Sequence, residues 1–480
     1  MPSGHGEEAN PKALAIVYLA FRMNDFADIR SAQLAFFRAG YTRSYKARKG
    51  ALLALKQSVK EHEEDILQAL ASDLGKPELE AFAAEISFIY QEIDHMLERL
   101  AGYMQDRRVK SSLALFPSRS WVQKEPLGQV LIIGPWNYPF QLLAAPLVGA
   151  LAAGNTVLLK PSEFTPATSA VIGRVVAKAF SQEWVAIAEG DGALVVPQIF
   201  ESYQPSMVFF TGSPAVGKII AQRCAQDLIP VVLELGGKSP AIFDGTWVSK
   251  TAVKRLLYAK FINAGQTCIA PDYVLIKHSA FDNFVALARE ILNEWYGADP
   301  LNSPDLTQLI HERHFQRVHS YLNQGEVLHG GQHRASDRRI APTLLRPRSW
   351  DQACMKDEIF GPVLPIATYE SEEELLDLAR RNPDPLAAYI FSKDSQFADR
   401  ISRELPFGGG CINNAMLHIV NPHLPFGGVR NSGWGAYHGR HSFDSFSHSK
   451  SMIKTGRWFD LKQKYPPYSA LALKMIKKLM

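Results

Sequence analysis

Gln129-Val-Leu-Ile-Ile133, Thr156-Val-Leu-Leu-Lys160, Trp184-Val-Ala-Ile-Ala188, Ser206-Met-Val-Phe-Phe210 and Pro230-Val-Val-Leu-Glu234 decide the fold class of this chain. Each is a short, nearly continuous apolar run, the composition of a strand buried on both faces. Between them, residues 139–153, 166–180 and 215–225 read as helices. Strand and helix in repeated alternation imply a doubly wound parallel sheet with helices on both faces.

Working outward, residues 28–73 read as helices, with Ala51-Leu-Leu-Ala-Leu-Lys-Gln-Ser-Val-Lys60 repeating apolar residues on one face until Gly75-Lys-Pro77 stops the pattern. A further helix is expected over 78–104. Beyond Gly236-Gly237, new strands at 272–276 and 363–369 predict a second α/β unit, and 425–452, rich in Gly, Ser, Phe and His, reads as loop followed by a strand at 449–453. A length of 480 residues exceeds one hydrophobic core and suits two or three domains.

Composition excludes several classes. Lys+Arg 52 against Asp+Glu 48 gives a net charge of +4 spread along the chain, which leaves no concentrated basic face for nucleic acid. The four cysteines, at 224, 268, 354 and 411, show neither C-x-x-C pairing nor zinc-ligand spacing with His, so no metal site is expected. So few cysteines argue against a disulfide framework and for a reducing compartment, hence a cytoplasmic protein whose important cysteines act as thiols. The apolar run at 13–21 is too short to span a bilayer, which needs ~20 residues. The tail at 471–480 mixes Lys with apolar residues at near-helical spacing; it suits a membrane surface or a packed terminal helix.

Chemistry concentrates at strand ends. Phe209-Phe-Thr-Gly-Ser-Pro-Ala-Val-Gly217 follows a strand and opens a helix, where free N–H groups favour an anion; a tight strand–helix turn reads the same way. Lys160 and Glu163 lie beyond a neighbouring strand end, where ligands of open α/β sheets sit, and suit ribose hydroxyls or plain surface charge. Asn263-Ala-Gly-Gln-Thr-Cys268 is a polar loop whose cysteine is either a nucleophile, its pKa lowered by nearby N–H groups, or an inert packed thiol. Cys224 in a helix and Cys411 in a strand read as packing residues. Asn137, in Pro135-Trp-Asn-Tyr-Pro139, is an amide donor for an oxyanion or an ordinary chain-turning asparagine. Glu234, ending an apolar strand beside Gly236-Gly237, is a carboxylate whose partial burial raises its pKa toward that of a general base. Glu358-Ile-Phe-Gly-Pro362 adds a second carboxylate beside Phe360, a ring suited to covering a flat cofactor.

Together with Glu234-Leu-Gly-Gly-Lys-Ser-Pro240, Leu424-Pro-Phe-Gly-Gly-Val429 and Tyr437-His-Gly439, these segments stand in the order of one family. Over residues 28–467 the chain resembles the aldehyde dehydrogenase superfamily, in its class 3 branch of fatty and aromatic aldehyde dehydrogenases. The resemblance implies a Rossmann-like NAD(P)-binding domain (28–109 and 126–234), an α/β catalytic domain (235–415) and bridging, oligomerising β segments (110–125 and 416–467), flanked by an N-terminal extension (1–27) and a C-terminal tail (468–480). It implies oxidation of medium or long aliphatic or aromatic aldehydes to acids by a homodimer. Cys268 would be the nucleophile, Glu234 the general base, and Asn137 with the Cys268 N–H the oxyanion hole. Lys160 and Glu163 would hold the adenine ribose, and Gly212, Ser213, Val216 and Gly217 would lie at the pyrophosphate. Glu358 would hold the nicotinamide ribose and Phe360 the ring. Glu163 favours NAD by repelling a 2′-phosphate, with NADP also possible. Acyl transfer to coenzyme A is the nearest rival, opposed by a water-activating Glu234; a silent binding protein on the same fold is opposed by the intact Cys268, Glu234 and Asn137 set.

Overall fold

The computed structural model describes residues 25–112, 115–460 and 465–479. Most of the N-terminal extension lies outside the described residues, as do parts of the segments assigned to bridging. Five helices lead in: Asp25–Arg38, Tyr45–Glu61, Glu63–Leu74, the short Glu78–Ala81 and Ser87–Tyr103. Ser44 caps the second by accepting from the Ala47 N–H. Gly75, at φ 64, ends the third in the left-handed conformation that Gly adopts without a Cβ penalty. The single helix expected over 78–104 contains a π-helical turn at Phe82–Ile86, which apolar periodicity does not encode.

The first sheet has six strands in the order 433–434, 231–234, 207–211, 129–133, 156–160 and 185–187, all parallel except the first. Its three central strands, Gln129–Ile133, Thr156–Lys160 and Met207–Thr211, are buried at every position, as their continuous apolar composition requires. The helix Gln141–Ala153 is buried along its whole length and ends at Gly154, φ 89. It therefore lacks a polar face, and its start marks the turn that carries Asn137.

A second sheet of seven strands runs 325–329, 343–347, 363–369, 273–277, 240–243, 387–391 and 409–412, parallel except at its first pairing. The strands expected at 272–276 and 363–369 are Tyr273–Lys277 and Val363–Tyr369. A separate antiparallel sheet joins Arg107–Val109, Ser118–Pro126 and Ser447–Thr455. The short strand Gly433–Trp434 pairs instead with the end of Val231–Glu234, so residue 433 lies opposite Glu234. Among the described residues, no helix is long and apolar enough to cross a membrane.

Candidate active site

Because Gln129–Ile133, Met207–Thr211 and Val231–Glu234 are parallel neighbours, their carboxyl ends open on one edge. That edge delivers Pro135, Trp136 and Asn137, then Gly212 and Ser213, then Glu234 to a single cleft of about 290 Å³. The second sheet closes it with Cys268, on the loop before Tyr273–Lys277, and with Glu358 and Phe360, on the loop before Val363–Tyr369. Seven positions singled out from the sequence thus line one cavity: Asn137, Gly212, Ser213, Glu234, Cys268, Glu358 and Phe360.

Cys268 and Leu142 also line a second cavity, of about 470 Å³, whose walls include Phe88, Tyr138, Tyr258, Ile269, Trp295, Met416, Leu417 and Phe426. The thiol therefore stands where a mixed polar cleft meets an apolar pocket. Its loop is wound tightly: Asn263 and Ala264 have φ of 53 and 49, and Gly265 has φ 75, with Gly361 so close that a β-carbon there would strike its carbonyl.

Burial dominates the electrostatics. It pushes the Cys268 thiol up to about 12, reinforced by the charges of Glu358 and then Glu234. The sequence suggested the opposite direction for this thiol. The N–H groups of Cys268 and Ile269 do pull downward, but burial and two carboxylates outweigh them. Burial alone holds Glu234 well above the usual carboxylate range, and neither of its oxygens has a hydrogen-bond partner. Glu358 is pushed up to about 8, first by burial and then by Asp272, and its Oε1 is likewise unpartnered. Burial thus disfavours the charged form of three groups in one cavity.

Asn137 is buried, and its Nδ2 donates to the Gln266 carbonyl at 3.0 Å. Tyr138 Oη and Thr267 Oγ1 are 2.8 Å apart, a second tie between the Asn137 turn and the Cys268 loop. The loop carrying Glu358 and Phe360 is held by residues whose role sequence reasoning missed. Arg317 donates to the carbonyls of Glu358 at 2.9 Å and Ile359 at 2.8 Å. His314 Nε2 lies 2.7 Å from the Phe360 carbonyl, and burial pushes this imidazole down to about 3. A neutral ring that accepts from Arg317 at Nδ1 is left with Nε2–H as its donor. These ties hold Phe360 at φ 52, with its ring centroid 5.4 Å from that of Trp136.

Lys160 and Glu163 lie apart from the cavity that Cys268 lines. Lys160, only 2% exposed, ends the strand Thr156–Lys160 and pairs with Glu163 Oε2 at 2.7 Å. Glu163 Oε1 accepts from the Gly192 N–H at 3.1 Å. Ser213 Oγ caps the helix Pro214–Gln226 by accepting from the Val216 N–H. Gly217 is buried, and a β-carbon on it would strike Leu235, so its missing side chain makes room for packing. Val216 is exposed. The residues fit a dinucleotide: Glu358 presents an unpartnered buried oxygen, and Gly212 and Ser213 line the same cavity at the N-terminus of the helix Pro214–Gln226.

Of the other cysteines, Cys224 and Cys354 are buried in packed clusters, and Cys411 lies half-buried in the strand Gly409–Ile412, with Sγ 3.7 Å from His418 Nδ1.

The aldehyde dehydrogenase family model matches residues 12–452. The chain is 43% identical to a 4,4′-diaponeurosporen-aldehyde dehydrogenase of Staphylococcus aureus, over 90% of this chain and 95% of the relative. It is 39% identical to human aldehyde dehydrogenase family 3 member B1, over 92% of this chain and 94% of that one. A solved structure described as the substrate-bound state of Staphylococcus aureus AldH superposes with a TM-score of 0.90 at 42% identity, covering 94% of this chain and 98% of its own. With the family model matched over residues 12–452 and relatives of 39–43% identity covering at least 90% of both chains, the chain belongs to the aldehyde dehydrogenase family and is an NAD(P)-dependent aldehyde dehydrogenase.

Proposed function

We propose that this enzyme oxidises medium- or long-chain aliphatic or aromatic aldehydes to carboxylic acids through a covalent thioester on Cys268. The observation that carries the reading is the shared wall: Cys268 borders both the cleft holding Glu234 and Glu358 and the apolar pocket of about 470 Å³. An apolar tail in that pocket loses water-exposed surface, at about 25 cal/mol per Å², and presents its carbonyl carbon to the thiol.

Deprotonated Cys268 adds to that carbon and forms a thiohemiacetal. The second N–H of Asn137 Nδ2 and the backbone N–H of Cys268 stabilise the oxygen that gains the charge. NAD(P)+ held there would accept the hydride that the thiohemiacetal carbon gives up as its C–O bond becomes a carbonyl, leaving a thioester on Cys268. Glu234, a stronger base for being buried, takes a proton from water, and the hydroxide attacks the thioester and frees the acid. Lys160 and Glu163 would hold the adenine ribose, and Glu163 would favour NAD by repelling a 2′-phosphate. The Gly212–Ser213 turn would lie at the pyrophosphate, and Glu358 with Phe360 would hold the nicotinamide riboside. We take residues 28–109 and 126–234 as the cofactor domain, 235–415 as the catalytic domain, and the sheet containing Ser118–Pro126 and Ser447–Thr455 as the contact with a second copy.

An activity series over aldehydes of increasing chain length, followed by NADH absorbance, tests the reading. The expected kcat/KM rises with apolar chain length. A maximum at short, charged aldehydes, or no reduced cofactor with any aldehyde, would overturn it.

A further inference from the structure

Beneath the Asn137 turn lies an ion pair that the reaction as described does not use. Lys76 and Glu85 pair with both side chains at 0% exposure. Fully buried charges are costly to desolvate unless every donor and acceptor is met. Here they are met by the backbone of one turn. Lys76 Nζ donates to the carbonyl of Asn137 at 2.9 Å and stands 4.0 Å from the ring centroid of Tyr138. Glu85 Oε2 accepts from the N–H groups of Phe140 at 2.9 Å and Gln141 at 3.1 Å. The helix Gln141–Ala153 has no side-chain cap of its own at Phe140, so Glu85 supplies a carboxylate at its N-terminus. Glu85 reaches that place from the π-helical turn Phe82–Ile86, a local unwinding of the kind that gathers at functional sites.

The Cys268 loop grips the same turn from the other side. Asn263 Nδ2 donates to the Asn137 carbonyl at 2.8 Å, and Asn137 Nδ2 donates to Gln266 at 3.0 Å. Asn263 is in turn fixed by its own N–H, which donates to Glu80 at 2.7 Å. The Asn137 carbonyl therefore receives one donor from each side, while its side-chain amide is tied to the Gln266 carbonyl, two residues before the thiol.

We propose that the Lys76–Glu85 pair is a positioning device for the oxyanion hole, setting the distance of the Asn137 amide from the carbonyl that Cys268 attacks. The proposal rests on the oxyanion role given to Asn137 above. The pair touches neither substrate nor cofactor and acts only through the turn.

The test compares Lys76→Met, Asn137→Ala and the double variant in the full-length enzyme, by the pre-steady-state burst of NADH at saturating cofactor and aldehyde. Lys76→Met is expected to slow the burst at least tenfold, with the KM for NAD unchanged. In the Asn137→Ala background the same change is expected to have less than a twofold effect, because the group it positions is gone. If Lys76→Met yields no folded enzyme, Glu85→Gln, nearly isosteric, carries the same comparison. Lys76→Arg, which keeps the charge, should restore part of the burst rate. A folded Lys76→Met or Glu85→Gln enzyme with a native burst, or equal slowing in both backgrounds, would overturn the proposal. An Asn137→Ala enzyme with a native burst would instead overturn the oxyanion role itself.

Discussion

Glu358 and Cys268 line one cavity, and after burial the charge of Glu358 is the strongest influence holding the Cys268 thiol neutral. Glu358 is itself pushed up to about 8, mainly by burial, so at neutral pH both groups are mostly protonated and the Glu358 charge opposes thiolate formation increasingly as pH rises past that value.

That coupling is visible in alkylation. An ordinary thiol near 8.5 approaches a plateau in its iodoacetamide rate above about pH 9. For Cys268, pushed up to about 12, the rate should still be climbing at pH 10, by ~10-fold per pH unit. Glu358→Gln should raise the rate at pH 8, and Glu234→Gln should raise it less, following the order of their influence on the thiol. A plateau near pH 8.5 in the unmodified enzyme would contradict this.

Removal of the Asn137 amide should cost about 3–4 kcal/mol of barrier, roughly a 10²–10³-fold slower hydride step. Asn137→Ala is therefore expected to form its first equivalent of NADH more slowly by that factor in stopped-flow absorbance, with cofactor binding retained.

Glu234 gives the pH dependence its sign. Burial holds this carboxyl well above the usual range, so the base form is lost as pH falls, and thioester hydrolysis should rise with pH through a raised apparent pKa. Glu234→Gln should keep the burst, lower steady turnover by about 10²-fold or more, and flatten that limb of the profile. Steady-state rates across pH 6–10 check both parts.

The clarity of the sequence depended on the range of each interaction. Strands such as Gln129–Ile133 and Met207–Thr211 were legible because burial on both faces writes itself as an unbroken apolar run. Asn137, Glu234 and Cys268 stand out in the sequence because each sits at a strand end or in a polar loop, and the fold brings the three to one cavity. The apolar cavity was not, since its walls come from segments near 83–88, 138–142, 254–269, 295 and 414–426, whose approach no local pattern records. His314 and Arg317 looked like ordinary residues of the helix Glu312–Ser320, yet hydrogen bonds spanning more than forty residues make them the clamp on Glu358 and Phe360. The direction of the Cys268 shift was misread because nearby N–H groups are local, whereas the burial that outweighs them is a property of the whole fold.

Glu163, held by Lys160 and the Gly192 N–H, is the group proposed above to disfavour NADP. Glu163→Gln removes the charge that would oppose a 2′-phosphate. The ratio of kcat/KM for NADP to that for NAD should rise about tenfold, a shift of ~1.4 kcal/mol. An unchanged ratio would take Glu163 out of cofactor selection.

The most direct measurement is peptide mass spectrometry of Glu234→Gln enzyme quenched in acid after one burst with NAD+ and a long-chain aldehyde. The account predicts an acyl adduct, the mass of the acid less water, on the peptide containing Cys268 and on no other. A full burst with that peptide unmodified, or an adduct on Cys224, Cys354 or Cys411, would contradict it.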